Sequence, residues 1–209
     1  MMKLSRKFCL TALIMLSGSF LFAQEGSITI LTFGGYTFED KLDFYKGYGK
    51  VGDGFQWGVG LEIGLGPYNA VEFNYQQLPT TGYLVEYLGG FEESGDVNFN
   101  YYLVGGTRYL PINDMLSGFF SMDAGLAVIS PQSSSEFSNT TKFAWGLRTG
   151  LRLLPAERVS LRIHAQLLSP VQAAGGSFYF GTGGPGAGVS TYSTIYQFNL
   201  GGSINLRIK

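Results

Sequence analysis

Large apolar side chains recur at every second position along much of this chain, with small or polar residues between them. The stretch 55–65, FQWGVGLEIGL, sets Phe55, Trp57, Val59, Leu61, Ile63 and Leu65 on one parity against Gln56, Gly58, Gly60, Glu62 and Gly64. A period of two is the spacing of a β-strand, whose successive side chains point to opposite faces. The same spacing places Val71, Phe73 and Tyr75 opposite Glu72, Asn74 and Gln76 in 71–76. In 98–109 it sets Phe99, Tyr101, Leu103 and Tyr109 against Asn98, Asn100, Gly106 and Arg108. In 119–129, Phe120, Met122, Ala124, Leu126 and Val128 oppose Ser121, Asp123, Gly125 and Ala127. In 143–154, Phe143, Trp145, Leu147, Leu151 and Leu153 oppose Ala144, Gly146, Arg148, Gly150 and Arg152. In 159–167, Val159, Leu161, Ile163 and Leu167 oppose Ser160, Arg162, His164 and Gln166. The last segment, 192–208, puts Tyr192, Tyr196, Phe198, Leu200, Ile204, Leu206 and Ile208 opposite Ser193, Gln197, Asn199, Ser203, Asn205 and Arg207. With 27–38, whose facing the pattern leaves open, the chain reads as eight strands.

The connections alternate in length. GPYN (66–69), PINDM (111–115) and PAER (155–158) are tight turns built on proline, whereas 40–53, 79–96, 131–141 and 169–190 are long. Short turns at one end and long loops at the other predict an all-β, eight-stranded antiparallel up-and-down transmembrane β-barrel, with short periplasmic turns and long extracellular loops. An even strand count returns both termini to the short-turn side.

That architecture assigns the two faces. The outward face meets lipid and is apolar, so the residues between the large apolar ones point into the lumen and include arginines. A soluble barrel reverses the assignment, but eight strands enclose too little room for the many Trp, Tyr, Phe and Leu of the apolar set, while Gly, Ser and Asn fit a narrow interior. Aromatic residues gather where strands meet the long loops. Phe55, Trp57, Tyr75, Phe99, Tyr101, Phe143, Trp145, Tyr192 and Tyr196 are expected to form an outer interfacial girdle, with Tyr68, Tyr109 and Phe119 in a sparser inner one. Glu62, Glu72, Arg108, Asp123, Arg148, Arg152, Arg162, His164 and Arg207 carry inward parity and are expected to form a lumen charge network that blocks the barrel below its midplane. Guanidinium forks pair with carboxylates bidentately in such a confined space. A charge-selective constriction in a pore is the alternative use of the same residues.

Composition narrows the classes. Charged residues are 14% of the 209-residue chain, and 31 residues are glycine, which excludes a coiled coil, a disordered chain and the basic patch of a nucleic-acid binder. Residues 1–23 read as a cleaved secretory signal peptide, with Lys3, Arg6 and Lys7 ahead of the apolar run CLTALIMLSGSFLF and Ala23 before the cut, leaving 24–209 as the barrel domain. Cys9 falls inside the signal, so the exported part has no cysteine. Removing the three basic residues leaves eleven Lys and Arg against fifteen Asp and Glu, a net charge of −4.

No chemistry-bearing constellation survives scrutiny. Gly181–Gly186 fits G-x-G-x-x-G but lacks the following helix that would meet a pyrophosphate. His164 is flanked on its own face by Arg162 and Gln166, neither a nucleophile, so it belongs to the interior network. No His or Cys cluster marks a metal site, and Glu86, Glu92, Glu93 and Asp96 read as a solvated acidic loop. Asn139-Thr140-Thr141 fits a glycosylation sequon that carries no weight at a bacterial surface. No cofactor is expected.

The signal ending SFLFAQ, the strands FQWGVGLEIGL and FAWGLRTGLRLL and the terminal YQFNLGGSINLRIK resemble the small eight-stranded outer-membrane proteins of Gram-negative bacteria, the OmpA/OmpX-like and OmpW-like barrels. The resemblance is one of layout over nearly all of 24–209. It departs at the end, where Ile208 and Lys209 replace the aromatic residue such proteins use in assembly. It implies a monomeric, non-enzymatic integral outer-membrane protein in contact with lipid and lipopolysaccharide. The expected role is structural, adhesive or surface-interacting, with an extracellular partner met through 40–53, 79–96, 131–141 and 169–190 and no nucleic acid bound. A small porin-like or hydrophobic-solute channel is the first alternative, a lipid A-modifying membrane enzyme the second, and a soluble exported barrel the last.

Overall fold

A computed structural model describes residues 26–44, 47–86, 92–131, 140–155, 158–171 and 195–209. The expected signal peptide 1–23, most of the expected loops 131–141 and 169–190, the 181–186 motif, Tyr192 and Asn139 lie outside the described residues. The strands are β1 (Ile28–Thr37), β2 (Asp40–Phe44), β3 (Gly47–Val51), β4 (Gly54–Gly64), β5 (Asn69–Glu86), β6 (Glu92–Asn113), β7 (Leu116–Pro131), β8 (Thr140–Leu153), β9 (Val159–Val171) and β10 (Gln197–Arg207).

Eight of these close a barrel. Each of β4 through β9 pairs antiparallel with the next in the chain, and β1 pairs with both β4 and β10. Following the register from Ile28 through Ile63, Val71, Gly106, Met122, Leu147, Leu167 and Phe198 returns to β1 at Phe38, whose N–H bonds to the Phe198 carbonyl, a shear of ten residues. For eight strands this tilts the chain by about 43° from the barrel axis, inside the range of closed barrels.

Alternation then decides burial. On β4 the odd positions Phe55, Trp57, Val59 and Leu61 are exposed, while Gln56 and Glu62 are buried. On β8 Phe143 and Leu151 are exposed while Ala144, Arg148 and Arg152 are buried. The exterior from Phe55 to Leu65 is a continuous apolar surface about 24 Å tall at ~3.3 Å per residue and that tilt, the height of an outer-membrane hydrocarbon band. On β1, Leu31 and Phe33 point inward and Ile30 and Tyr36 outward, which supplies the facing that the sequence left open.

Glycine at inward positions keeps the lumen narrow. A Cβ on Gly35 would come within 2.8 Å of the Gly201 Cα, and one on Gly105 within 2.9 Å of the Asp123 Cα, so opposing backbones close to a separation no side chain permits.

The facing expected for 98–109 is corrected. Phe99, Tyr101, Leu103 and Tyr109 are buried inside the barrel, and Tyr102, Val104 and Arg108 are exposed outside. Asn98 and Asn100, which suggested a polar lumen face, sit beyond the apolar band, where an outward asparagine costs little; Asn100 there accepts the Tyr75 hydroxyl at 3.0 Å. Gly105, on the same parity as Phe99, must face Asp123. Phe99 and Tyr101 therefore leave the outer girdle, Arg108 leaves the lumen network, and Tyr109 and Phe119 line the interior rather than an inner girdle.

Two of the expected long loops also contain strand. The stretch 40–53 holds the β2–β3 hairpin, and 79–96 is the far part of a tall β5–β6 hairpin. β5 continues nine residues beyond Gln77, the last to pair with β4, and there β3 pairs with it from Gly47↔Glu86 to Val51↔Gly82. The result is a four-stranded sheet, β2-β3-β5-β6, standing roughly 20 Å beyond the barrel wall.

Candidate functional site: the lumen and the long-loop end

Glu72 on β5 is the hub of the lumen. Its Oε1 accepts from Thr107 Oγ1 at 2.6 Å and from Arg162 Nη1 at 2.9 Å. Its Oε2 accepts from Arg148 Nη2 and from Asn74 Nδ2, the latter at 3.3 Å. Glu62 on β4 accepts from Arg162 Nη2 and from the Tyr109 hydroxyl, which itself accepts from Arg162. Arg152 Nη1 lies 4.0 Å from Glu62, while its Nε donates to Ser160 Oγ at 3.1 Å. One guanidinium thus bridges two carboxylates across the barrel, an arrangement open to arginine's planar fork and closed to lysine.

Aromatic rings pack the same charges. The Arg162 guanidinium lies 5.4 Å from the Tyr109 ring and 5.1 Å from the Phe119 ring, and Arg152 lies 5.1 Å over Tyr109. Arg148 sits 4.7 Å over Phe33, which meets His164 edge-on at 6.2 Å. These cation–π contacts stabilise guanidinium groups buried in the lumen. Asp123 is buried beside the cluster, with Asn74 Nδ2 at 3.5 Å from its Oδ1.

Above this layer the lumen turns apolar. Leu78, Val97, Phe99, Tyr101, Leu103, Ala127, Ile129, Ala144 and Leu168 form one buried cluster at the long-loop side. The Tyr101 hydroxyl is satisfied by Gln197 Oε1 at 2.7 Å, and Thr37, Gln56 and Gln76 form a hydrogen-bonded chain across β1, β4 and β5. Side chains close the barrel at two levels, an ion-pair layer and an apolar layer. Among the described residues, Asp123 Oδ2, Arg148 Nε, His164 Nδ1 and Gln166 Nε2 are some of the buried atoms with no protein partner, the kind that buried water would satisfy.

The sequence-derived residues therefore separate. Glu62, Glu72, Arg148, Arg152 and Arg162 meet in the network, with Asp123 and His164 at its edge. Arg207 has interior parity but lies at the short-turn rim, donating to the Pro155 carbonyl at 2.7 Å. Arg108 lies outside, donating to Asn69 Oδ1 at 2.9 Å. Tyr109, Phe119, Thr107 and Phe33 are network members that sequence reasoning missed. The first two were assigned outward, and the facing of β1 was open.

On the outer face, rings meet between neighbouring strands: Trp57 and Tyr75 lie 6.1 Å apart, Tyr75 and Tyr102 5.2 Å, and Phe38 and Phe198 5.8 Å. Trp145 and Tyr196 meet at 6.5 Å across the intervening β9. Phe55 and Phe143 are exposed in the same zone. Tyr102, Tyr36, Phe38 and Phe198 thus join the ring of aromatics at the long-loop side. Beyond it, Lys50 pairs with Glu39, which holds the ammonium above its usual pKa, and Lys41 lies 4.5 Å from the Tyr48 ring. Thr80 Oγ1 donates to the Gly52 carbonyl at 2.7 Å, tying β5 to the end of the β2–β3 hairpin.

An apolar exterior, a polar plugged lumen and full strand closure define the fold of a small eight-stranded transmembrane β-barrel. Among solved structures the chain is similar to Neisserial surface protein A, NspA, at a TM-score of 0.59 and 9% identity over 88% of this chain and all of that one. It also matches the N-terminal β-barrel domain of Pseudomonas aeruginosa OprF (TM-score 0.46, 10% identity, 86% of this chain and 97% of that one). A further match is the Yersinia pestis outer membrane protein Ail in a phospholipid bilayer nanodisc (TM-score 0.43, 17% identity, 88% of this chain and all of that one). No protein-family profile matches the chain, and no curated protein does. The likeness to NspA establishes the shared fold.

Proposed function

We propose that this chain is a non-enzymatic integral protein of a Gram-negative outer membrane, exported through the signal at 1–23 and working as a monomer. Its short turns face the periplasm and its tall β2-β3-β5-β6 sheet faces outward, among lipopolysaccharide and extracellular partners. The observation that carries this reading is the double closure of the lumen: with Arg162 spanning Glu62 and Glu72, and Phe99, Tyr101 and Leu168 packed above, the interior is structural. Among the described residues, the surfaces left to interact are the lipid-facing band and the projecting sheet. His164 supports the same reading, because it faces the lumen beside Phe33 rather than the lipid in which a lipid A substrate would lie.

The test is mobility on SDS gels of detergent-extracted membranes, boiled and unboiled, followed by reconstitution into planar bilayers. A shift on boiling with no conductance steps is the expected result. Discrete conductance steps would favour the channel reading, and recovery from the periplasm without detergent would overturn the membrane assignment. Excising 40–51 is expected to leave the gel shift intact, because barrel closure runs through β1–β4 pairing from Ile28 to Thr37 and does not use the hairpin. Loss of the shift in that variant would show that the hairpin is needed for closure.

A further inference from the structure

One charged side chain stands on the wrong side of the barrel. Among the described residues, Arg108 is the single charged group with outward parity between the aromatic zone and the short turns. The outward hydroxyls of that band are turned back to the protein: Thr32 donates to the Ile204 carbonyl and Thr149 to the Phe119 carbonyl, each at 3.0 Å. Arg108 donates through Nη1 to Asn69 and lies 5.9 Å from the Tyr68 ring, yet its side chain remains exposed.

The register shows where it points. Asn69↔Arg108 is the last pair between β5 and β6, whereas β6 and β7 continue pairing to Asn113↔Leu116. The β6–β7 hairpin therefore reaches beyond the turn that precedes β5, leaving a notch with Tyr68 and Asn69 as its roof and the exposed Leu110 and Ile112 as its side wall. Above Arg108, Gly106 leaves bare backbone with nothing within 4 Å of where a side chain would be. A guanidinium fixed by an asparagine, with the bare Gly106 backbone and the exposed apolar Val104 above it toward the middle of the band, is the chemistry of a phosphate ester that carries hydrocarbon chains.

We infer that the notch at Arg108, Asn69 and Tyr68 binds the phosphate of a membrane phospholipid from the leaflet at the short-turn end, with its chains laid along Gly106 and the flanking apolar face. The guanidinium supplies the charge-assisted hydrogen bonds, and the ester oxygens complete what Asn69 leaves open. This inference rests on the membrane reading above.

The experiment is native mass spectrometry of delipidated, refolded protein exposed to phosphatidylglycerol, or to diacylglycerol with the same chains but no phosphate. The intact protein is expected to retain one phosphatidylglycerol and to retain diacylglycerol about tenfold less, the scale of one charge-assisted contact. Arg108→Gln should reduce phosphatidylglycerol retention to the diacylglycerol level, while Arg158→Gln, which removes an exposed turn arginine at the same end, should leave it unchanged. Equal retention by Arg108→Gln and the parent, or of the two lipids by the parent, overturns the site. So does equal loss in both arginine variants, which would mark general charge attraction. The gel shift on boiling is read for every protein used. Its absence in the parent would sink the membrane reading, whereas its presence with no lipid discrimination sinks only the site.

Discussion

Replacing Glu72 by alanine is expected to destabilise the barrel by about 3–5 kcal/mol, the scale for removing one partner of a buried ion pair. Arg148 and Arg162 are both almost wholly buried, and both donate to this carboxylate. Without it, among the described residues Arg148 has no other carboxylate within ion-pairing distance, and Arg162 keeps Glu62 alone. The loss is dominated by stranded charge rather than by the missing contact, so a second substitution should reverse part of it. Glu72→Met combined with Arg148→Met removes one acid and one base together, and it should be more stable than Glu72→Ala alone despite deleting more polar groups. Urea unfolding from lipid vesicles measures both. The chain's two tryptophans, Trp57 and Trp145, lie on the outer face and report the barrel leaving lipid. A cost below ~1 kcal/mol for Glu72→Ala would mean that the lumen is wet enough to solvate both guanidinium groups.

The second large effect is on the outer face. Val104→Arg places a guanidinium near the middle of the apolar band, on the parity that the structure turns outward, and should cost about 2–4 kcal/mol. Leu110→Arg, on the same face but beyond the last β5–β6 pair, should cost about 0–1 kcal/mol. This gradient is specific to the observed facing of β6. Had the facing followed the pattern of 98–109 alone, position 104 would line the lumen, and its arginine would join a polar interior. Equal costs at the two positions in the same vesicle assay would contradict the band as drawn.

The parts of the molecule legible in the sequence are those where a single environment acts along a whole strand. β4 and β8 cross the apolar band with one face in lipid and one in the lumen, so their alternation is uninterrupted and Glu62, Arg148 and Arg152 were assigned inward from it. β6 was misread because it passes through three environments in 22 residues. Its upper part has an apolar lumen, so Phe99, Tyr101 and Leu103 sit inside, and the asparagines between them face out above the lipid. Parity counts apolar residues without knowing at what height they sit.

The stretch 79–96, expected as a long connection, departs for a different reason. Pro79 at its start lies mid-strand in β5, paired with Asn98. Thr81, on the same parity, turns its carbonyl toward Gly52, so the missing N–H of Pro79 faces the gap between the last β4 pair at Gln77 and the first β3 pair at Gly82. A proline costs no ladder bond at a break between two partner strands. The gap is created by the β2–β3 hairpin joining higher up, a tertiary fact with no local signature.

The unequal strand lengths have a consequence for the crowded surface around the molecule. β5 and β6 run for 18 and 22 residues, whereas β1 and β10 stop at 10 and 11. Among the described strands the rim therefore carries a parapet on one flank, and rotation about the membrane normal becomes a meaningful coordinate. A neighbour drifting in from the parapet side is held at arm's length by β2, β3, β5 and β6. Crowding would then bias which way each molecule faces, giving the barrel a directional preference in the plane that no symmetric barrel has.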